Sequence, residues 1–99
     1  MILGMRPMTI ERDYAGLRAA VDRGERPCVQ FDHPSIYSSV GYPVVGIVTE
    51  RAGSRYPWKD PNEVTNVRLV VERLPFALPG QKAGTQEVDI GWAVAPSMC

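Results

Sequence analysis

The chain has 99 residues, 44% of them hydrophobic and 22% charged, which indicates one globular domain, residues 1–99, and argues against a disordered protein. Eleven basic residues balance eleven acidic ones, so the formal net charge is zero. Neutrality argues against the broad electropositive surface by which many proteins hold nucleic acid, although it permits a small local cationic patch.

Cysteine content and hydropathy predict a cytoplasmic protein without membrane association. The two cysteines, Cys28 and Cys99, are too few for a disulfide framework, and we expect both thiols to be reduced. The longest apolar runs span only a few residues, which is too short for a membrane helix. The N-terminal segment MILGMRPM is too short, and charged too soon, for a secretory signal.

A short apolar run, MILGM (1–5), predicts an N-terminal strand, and the segment TIERDYAGLRAAVDRGERP (9–27) predicts the main helix. Thr9 is placed to cap the helix, and Gly24 is placed to end it. Four apolar residues recur at helical spacing and form one stripe: Ile10, Tyr14, Leu17 and Val21.

Four further segments have the β-branched or alternating pattern of strands. They are CVQF (28–31), VVGIVTER (44–51), VTNVRLVVERL (64–74) and EVDIGWAVA (87–95). Gly46 inside the second segment suggests a bulge or a close backbone approach. Val67, Leu69 and Val71 lie on the apolar face of the third. Alternation in the last segment places Trp92 in the core.

Two segments rich in proline, glycine and small polar residues, 32–43 and 75–86, are predicted loops. Strands joined by loops and preceded by one helix favour an α+β fold. We expect a small antiparallel, barrel-like sheet of four to five strands, with one main N-terminal helix packed on one face or one end.

Patterns that carry catalysis or bind metals are missing from the sequence. The single histidine, His33, has no partner at a zinc-site spacing. Ser35 and Cys28 are near it, but no nucleophile elbow is present. Glu87 and Asp89 fit the polar side of an edge strand. We therefore expect neither a cofactor nor catalytic residues, with a small enzyme as the least favoured interpretation.

The segment RAGSRYPWKDP (51–61) concentrates aromatic and cationic residues between two predicted strands: Arg51, Arg55, Tyr56, Trp58 and Lys59. Such side chains either cover one end of the core or contact a partner. Stacking of an unpaired base on an aromatic ring contributes about 1–3 kcal/mol, which would offset the lack of a wide basic surface. The segment is therefore a candidate recognition site.

Five pieces of the sequence resemble the middle of a PUA-like barrel of the EVE/ASCH kind. They are Gly24, Val29 to Phe31, Val44 to Val48, Tyr56 to Asp60, and Val67 to Leu69. The resemblance covers about half of the chain. It implies a module that recognises RNA, or a modified or flipped nucleobase, in a pocket between barrel loops. His33, Tyr37 and Tyr42 would then lie on the loop that faces Trp58.

The leading hypothesis is a non-catalytic binding module for nucleic acid or a modified nucleobase, in which Tyr56 and Trp58 stack while Arg51, Arg55 and Lys59 contact phosphate or polar edges. The alternative is a small protein-binding regulator or inhibitor, of the phage or mobile-element type, acting on a host protein or complex. Homodimerisation through the 87–95 strand is compatible with either hypothesis.

Overall fold

A computed structural model of the protein describes residues 6–36, 41–73 and 84–95, which form one helical segment and an antiparallel sheet. The predicted α+β class is confirmed. The elements in chain order are β1 (Arg6–Pro7), a π-helical turn (Ile10–Tyr14) leading into α1 (Ala15–Asp22), β2 (Cys28–Phe31), β3 (Tyr42–Arg51), β4 (Val64–Arg73), β5 (Gly84–Asp89), a 3-10 turn (Ile90–Trp92) and β6 (Ala93–Ala95).

The sheet is open rather than closed into a barrel. Its six strands follow the order β1-β6-β2-β3-β4-β5, and every neighbouring pair is antiparallel. Within the described residues the two outermost strands, β1 and β5, do not pair with each other. The expected four to five strands become six because a short strand forms next to the helix and the last predicted strand divides in two.

The helical segment begins and ends where the sequence predicts. The Thr9 hydroxyl oxygen accepts a hydrogen bond from the Arg12 backbone N–H at 3.2 Å. In return, the Asp13 carboxylate accepts one from the Thr9 backbone N–H at 2.9 Å. These reciprocal bonds satisfy N–H groups that a helix start leaves unpaired. Gly24 has a φ of 83°, a left-handed conformation that ends the helix and favours glycine.

The apolar stripe of the helix packs on the inner face of the sheet, as predicted. Leu17 is buried in the core, and the other three stripe residues pack against it from partly buried positions. Val67, Leu69 and Val71 of β4 form the centre of that core and are at most 2% exposed. Burial of this apolar surface, rather than helix propensity, stabilises a helix as short as α1.

The longest pairing among the described strands joins β3 to β4, each ten residues long. The register of β3 against β4 shifts between Val44 and Gly46, where the sequence suggests a bulge or a close backbone approach, and Gly46 lies opposite Val70. β2 pairs only with the first two residues of β3, Tyr42 and Pro43. The 52–63 loop is at the other end of β3, about 30 Å away at 3.3 Å per residue.

The prediction of one last strand over 87–95, with Trp92 in the core, is wrong. A 3-10 turn at Ile90–Trp92 separates β5 from β6, and the Asp89 carboxylate stabilises it by accepting a hydrogen bond from Gly91 N–H at 2.8 Å. The chain thus leaves the sheet edge and returns between β1 and β2. Because the turn breaks the strand alternation, Ile90 is buried while Trp92 is 44% exposed.

Cys28 is disulfide-bonded, so the prediction of a reduced thiol at this position is wrong. The other cysteine, Cys99, lies outside the described residues, as do the predicted strand at 1–5 and residues 75–83 of the second predicted loop. No helix within the described ranges combines the length and the apolar character needed to cross a bilayer.

Replacement of the cap residue tests the start of the helix. We expect Thr9→Ala to lower the free energy of unfolding by about 0.5–2 kcal/mol, because Arg12 N–H loses its acceptor. Thr9→Ser, which keeps the hydroxyl, is the matched control and should retain most of the wild-type stability. Urea denaturation followed by circular dichroism measures both. Equal stability of the two variants would contradict the capping role.

Candidate functional site

The loop between β3 and β4 is built from three consecutive β-turns. Backbone hydrogen bonds close them from Arg55 N–H to Ala52 O (3.2 Å), from Lys59 N–H to Tyr56 O (2.9 Å) and from Glu63 N–H to Asp60 O (3.0 Å). The sequences YPWK and DPNE explain the last two turns, because proline presets the backbone angle that the second turn position needs. Local sequence therefore determines the loop conformation.

Further hydrogen bonds join the two arms of the loop at its base. Ala52 N–H donates to Glu63 O, and Gly53 N–H donates to Pro61 O, both at 2.9 Å. The Arg51 guanidinium donates to the Asn62 carbonyl at 2.6 Å. Ala52, the first residue of the loop, is only 1% exposed. The base is thus packed and hydrogen-bonded, which limits the movement of the tip.

The tip presents two aromatic rings to solvent. Trp58 occupies the third position of the middle turn and is 78% exposed, whereas Tyr56 is 37% exposed. Their ring centroids are 5.6 Å apart at an angle of 63°, an edge-to-face contact that orients the indole. The ammonium group of Lys59 lies 5.6 Å from the Tyr56 ring centroid. The indole therefore does not cover the core, and most of its surface is available to a partner.

The cations around Trp58 already contact groups of the same chain. Arg55 approaches Glu50 at 4.0 Å, and Lys59 approaches Glu63 at 3.4 Å. Arg51 is held by the backbone carbonyl at the loop base. Three cations and three acids occupy residues 50–63, so the local charge cancels. The formal charge of the 50–63 segment is thus balanced, although Glu50 is shared between Arg55 and Arg68 of β4, which approaches it at 3.6 Å.

The residues expected on a facing loop are not brought near Trp58. Tyr42 is 5% exposed and belongs to β3, where its ring lies 5.9 Å from Phe31 in the core. It is buried because it opens the strand that pairs with β2. His33 follows the end of β2, also at the far end of β3 from Trp58. Tyr37 lies outside the described residues.

A third exposed aromatic, Trp92, lies outside the loop, and strand alternation had wrongly predicted it to be in the core. Its ring packs edge-to-face against His33, with centroids 4.7 Å apart at 71°. His33 Nδ1 accepts a hydrogen bond from Ser35 N–H at 3.0 Å, which fixes the imidazole orientation. The sequence did hold a signal, because Asp89 and Gly91 are typical turn residues inside the supposed strand.

Across residues 6–36, 41–73 and 84–95, no three histidine, cysteine, aspartate or glutamate side chains form a group that could hold a metal ion.

No protein-family model, curated protein or solved structure matches this chain. The contacts of the 52–63 loop itself therefore carry the functional argument.

The exposure of Trp58 predicts that the indole contributes little to stability. We expect Trp58→Ala to change the free energy of unfolding by less than about 1 kcal/mol, since it removes only a solvent-exposed ring contact. Leu69→Ala, at a fully buried core position, should cost about 2–5 kcal/mol. Denaturant titration measures both. A loss at Trp58 as large as that at Leu69 would show that the indole is structural.

Proposed function

We propose that the protein is a binding module that inserts Trp58, at the tip of the 52–63 loop, into an apolar pocket of a partner protein. The observation that carries this proposal is a 78% exposed indole on a loop closed by three turn hydrogen bonds. Tryptophan is usually among the more buried residues of a folded protein, so its exposure at an ordered tip requires an explanation.

The order of the loop supports a role in binding. Immobilising a flexible side chain or loop at an interface reduces affinity, and a loop that is already folded avoids most of that loss. Here two prolines, the turn hydrogen bonds and the packed base at Ala52 hold the tip before any partner arrives. Trp58, Tyr56 and Arg55 are also the three residue types most enriched at interface hot spots.

The charge balance of the loop favours a protein partner over nucleic acid. Binding to a phosphate backbone draws its free energy from cations that replace condensed counterions. Lys59 and Arg55 have acidic neighbours at 3.4 Å and 4.0 Å, and those acids would repel phosphate. Burial of an aromatic surface in a protein pocket needs no net positive charge.

Stacking of a nucleobase on Trp58 is the second candidate function. The Arg55 side chain is 65% exposed and its distance to Glu50 is 4.0 Å, so it is less closely paired with an acid than Lys59 is. An aromatic ring beside an exposed guanidinium is a common arrangement for stacking of single-stranded nucleic acid. The resemblance to PUA-like barrels would place the base between two loops, but Tyr42 and His33 lie at the other end of β3 from Trp58, so only the 52–63 loop argues for this alternative.

Affinity capture with a matched tryptophan control tests the leading proposal. The immobilised protein is exposed to lysate of its source organism in three forms: wild type, Trp58→Ala and Trp92→Ala. We expect a stoichiometric protein partner on the wild type and on Trp92→Ala, and its loss on Trp58→Ala. The control replaces the other exposed tryptophan, so it distinguishes specific binding through the loop from nonspecific binding to any exposed aromatic side chain.

Calorimetry with the purified partner then measures the contribution of the indole. A hot-spot tryptophan predicts that Trp58→Ala weakens binding by about 2 kcal/mol or more, roughly 30-fold. Titration with single-stranded and duplex oligonucleotides at two salt concentrations is the parallel arm. Salt-dependent oligonucleotide binding that is lost in Trp58→Ala would replace the protein partner with nucleic acid. If neither arm depends on Trp58, the loop is not the recognition site.

A further inference from the structure

β5 is an exposed edge strand. It pairs with β4 along one side through all six of its residues, and no described strand pairs with its other side. Four of its residues, Gly84, Thr85, Glu87 and Asp89, are exposed. An edge strand presents a row of backbone N–H and C=O groups that can pair with another strand. The opposite edge, β1, has only two residues, which makes β5 the principal free edge among the described strands.

The charged side chains of β5 lie on the outer face of the sheet, so they do not cover the backbone N–H and C=O groups along its edge. Glu87 and Asp89 alternate with Val88, which faces the core. Glu87 is opposite Val70 of β4 and approaches Arg68 at 3.5 Å. The carboxylates therefore do not block an incoming strand. They decide which register that strand can adopt.

We propose that β5 pairs antiparallel with β5 of a second copy of the chain, in the register that sets Gln86 opposite Gln86. A twofold axis perpendicular to the sheet keeps the cores of both copies on the same side of the joined sheet. With this symmetry, two pairing registers each align five of the six β5 residues, one centred on Gln86 and the other on Glu87. In one, Glu87 lies opposite Glu87 of the other copy, and like charges directly opposite each other are destabilising.

The other register has no such conflict. It sets Thr85 opposite Glu87 of the second copy, where a hydroxyl donor meets a carboxylate acceptor, and it sets Gly84 opposite Val88. The charge pattern of β5 thus selects one symmetric pairing. Because a single short strand pair buries less than the roughly 1,200 Å² typical of stable complexes, the dimer is weak and concentration-dependent.

Pairing at β5 leaves the Trp58 loop free. β5 pairs with β4 only from Arg68 to Arg73, whereas the 52–63 loop joins the other end of β4, at Val64. The dimer would present two Trp58 tips at once, and a bivalent partner would gain effective concentration from the second tip. Dimerisation does not depend on the proposed function, since it uses a different strand and different residues.

A charge-reversal pair at Thr85 tests the dimer. Thr85→Lys places a cation opposite Glu87 of the second copy, and Thr85→Glu places an anion there. Sedimentation equilibrium from about 10 µM to 1 mM gives the dissociation constant of each variant. We expect Thr85→Lys to tighten the wild-type dimer about 2- to 30-fold, since the twofold axis repeats each pair, and Thr85→Glu to weaken it similarly.

Two controls separate this effect from other causes. Ala19→Lys and Ala19→Glu, on the exposed side of α1, make the same changes in net charge away from β5 and should leave the wild-type constant unchanged. Thr85 also lies opposite Glu72 of β4, so circular dichroism and thermal melting must show that both Thr85 variants are folded. If Thr85→Glu does not fold, the dissociation constant of Thr85→Lys is compared with that of Ala19→Lys, and this comparison is sufficient for the test.

Three results would overturn the proposal. A wild-type protein that stays monomeric to about 1 mM has no β5 dimer. A dimer whose strength ignores the charge at position 85 associates through another surface. Equal responses to changes at Thr85 and Ala19 would show that net charge alone is responsible. A contact between Thr85 and Glu87 of different copies, seen by NMR in mixed isotope-labelled samples, would support the register directly.

Discussion

The rest of the structure depends on the long antiparallel pairing of β3 with β4. Its inner face supplies the fully buried residues Val67 and Leu69, against which the helical stripe packs. The free side of β4 pairs with β5, and the 52–63 loop connects the end of β3 to the start of β4. The bulge at Gly46 shifts the register within this pairing and changes the local twist. One hairpin thus determines where the core forms and where the loop projects, so the position of Trp58 follows from the packing of the sheet.

The loop combines an exposed aromatic ring with an ordered backbone, and each of these features costs free energy. A large exposed aromatic ring loses the favourable free energy of burial, and ordered backbone loses conformational entropy. Here turn-forming sequences and the buried Ala52 fix the backbone locally. Acidic side chains lie within 4.0 Å of both cations of the loop, Arg55 and Lys59. Under the proposed function, a partner would recognise the shape and the aromatic surface of the tip more than its charge.

Much of the fold could be predicted from the sequence. The stripe from Ile10 to Val21, the cap at Thr9 and the alternation through Val67, Leu69 and Val71 are local patterns, and each predicted its element correctly. The misses have a different origin. A 3-10 turn interrupts a clean alternation at Trp92, and whether Tyr42 faces a ligand or the core depends on its pairing with β2. The strand order brings together residues distant in sequence, so periodicity did not predict it. The ion pairs near Trp58 are local, but they form only because the turns of the loop bring Lys59 near Glu63 and Arg55 near Glu50.

The burial of Ala52 at the base of the loop distinguishes it from the exposed positions of the tip. A larger side chain at Ala52 would meet packed atoms and disturb the whole connection. Ser54, Arg55 and Trp58 face water and constrain little of the scaffold. Natural variation can therefore alter the chemistry of the tip while the foundation stays constant, much as antibody frameworks tolerate new hypervariable residues. Natural evolution, or selection from a library of variants, could therefore change the binding specificity of the tip without loss of the fold.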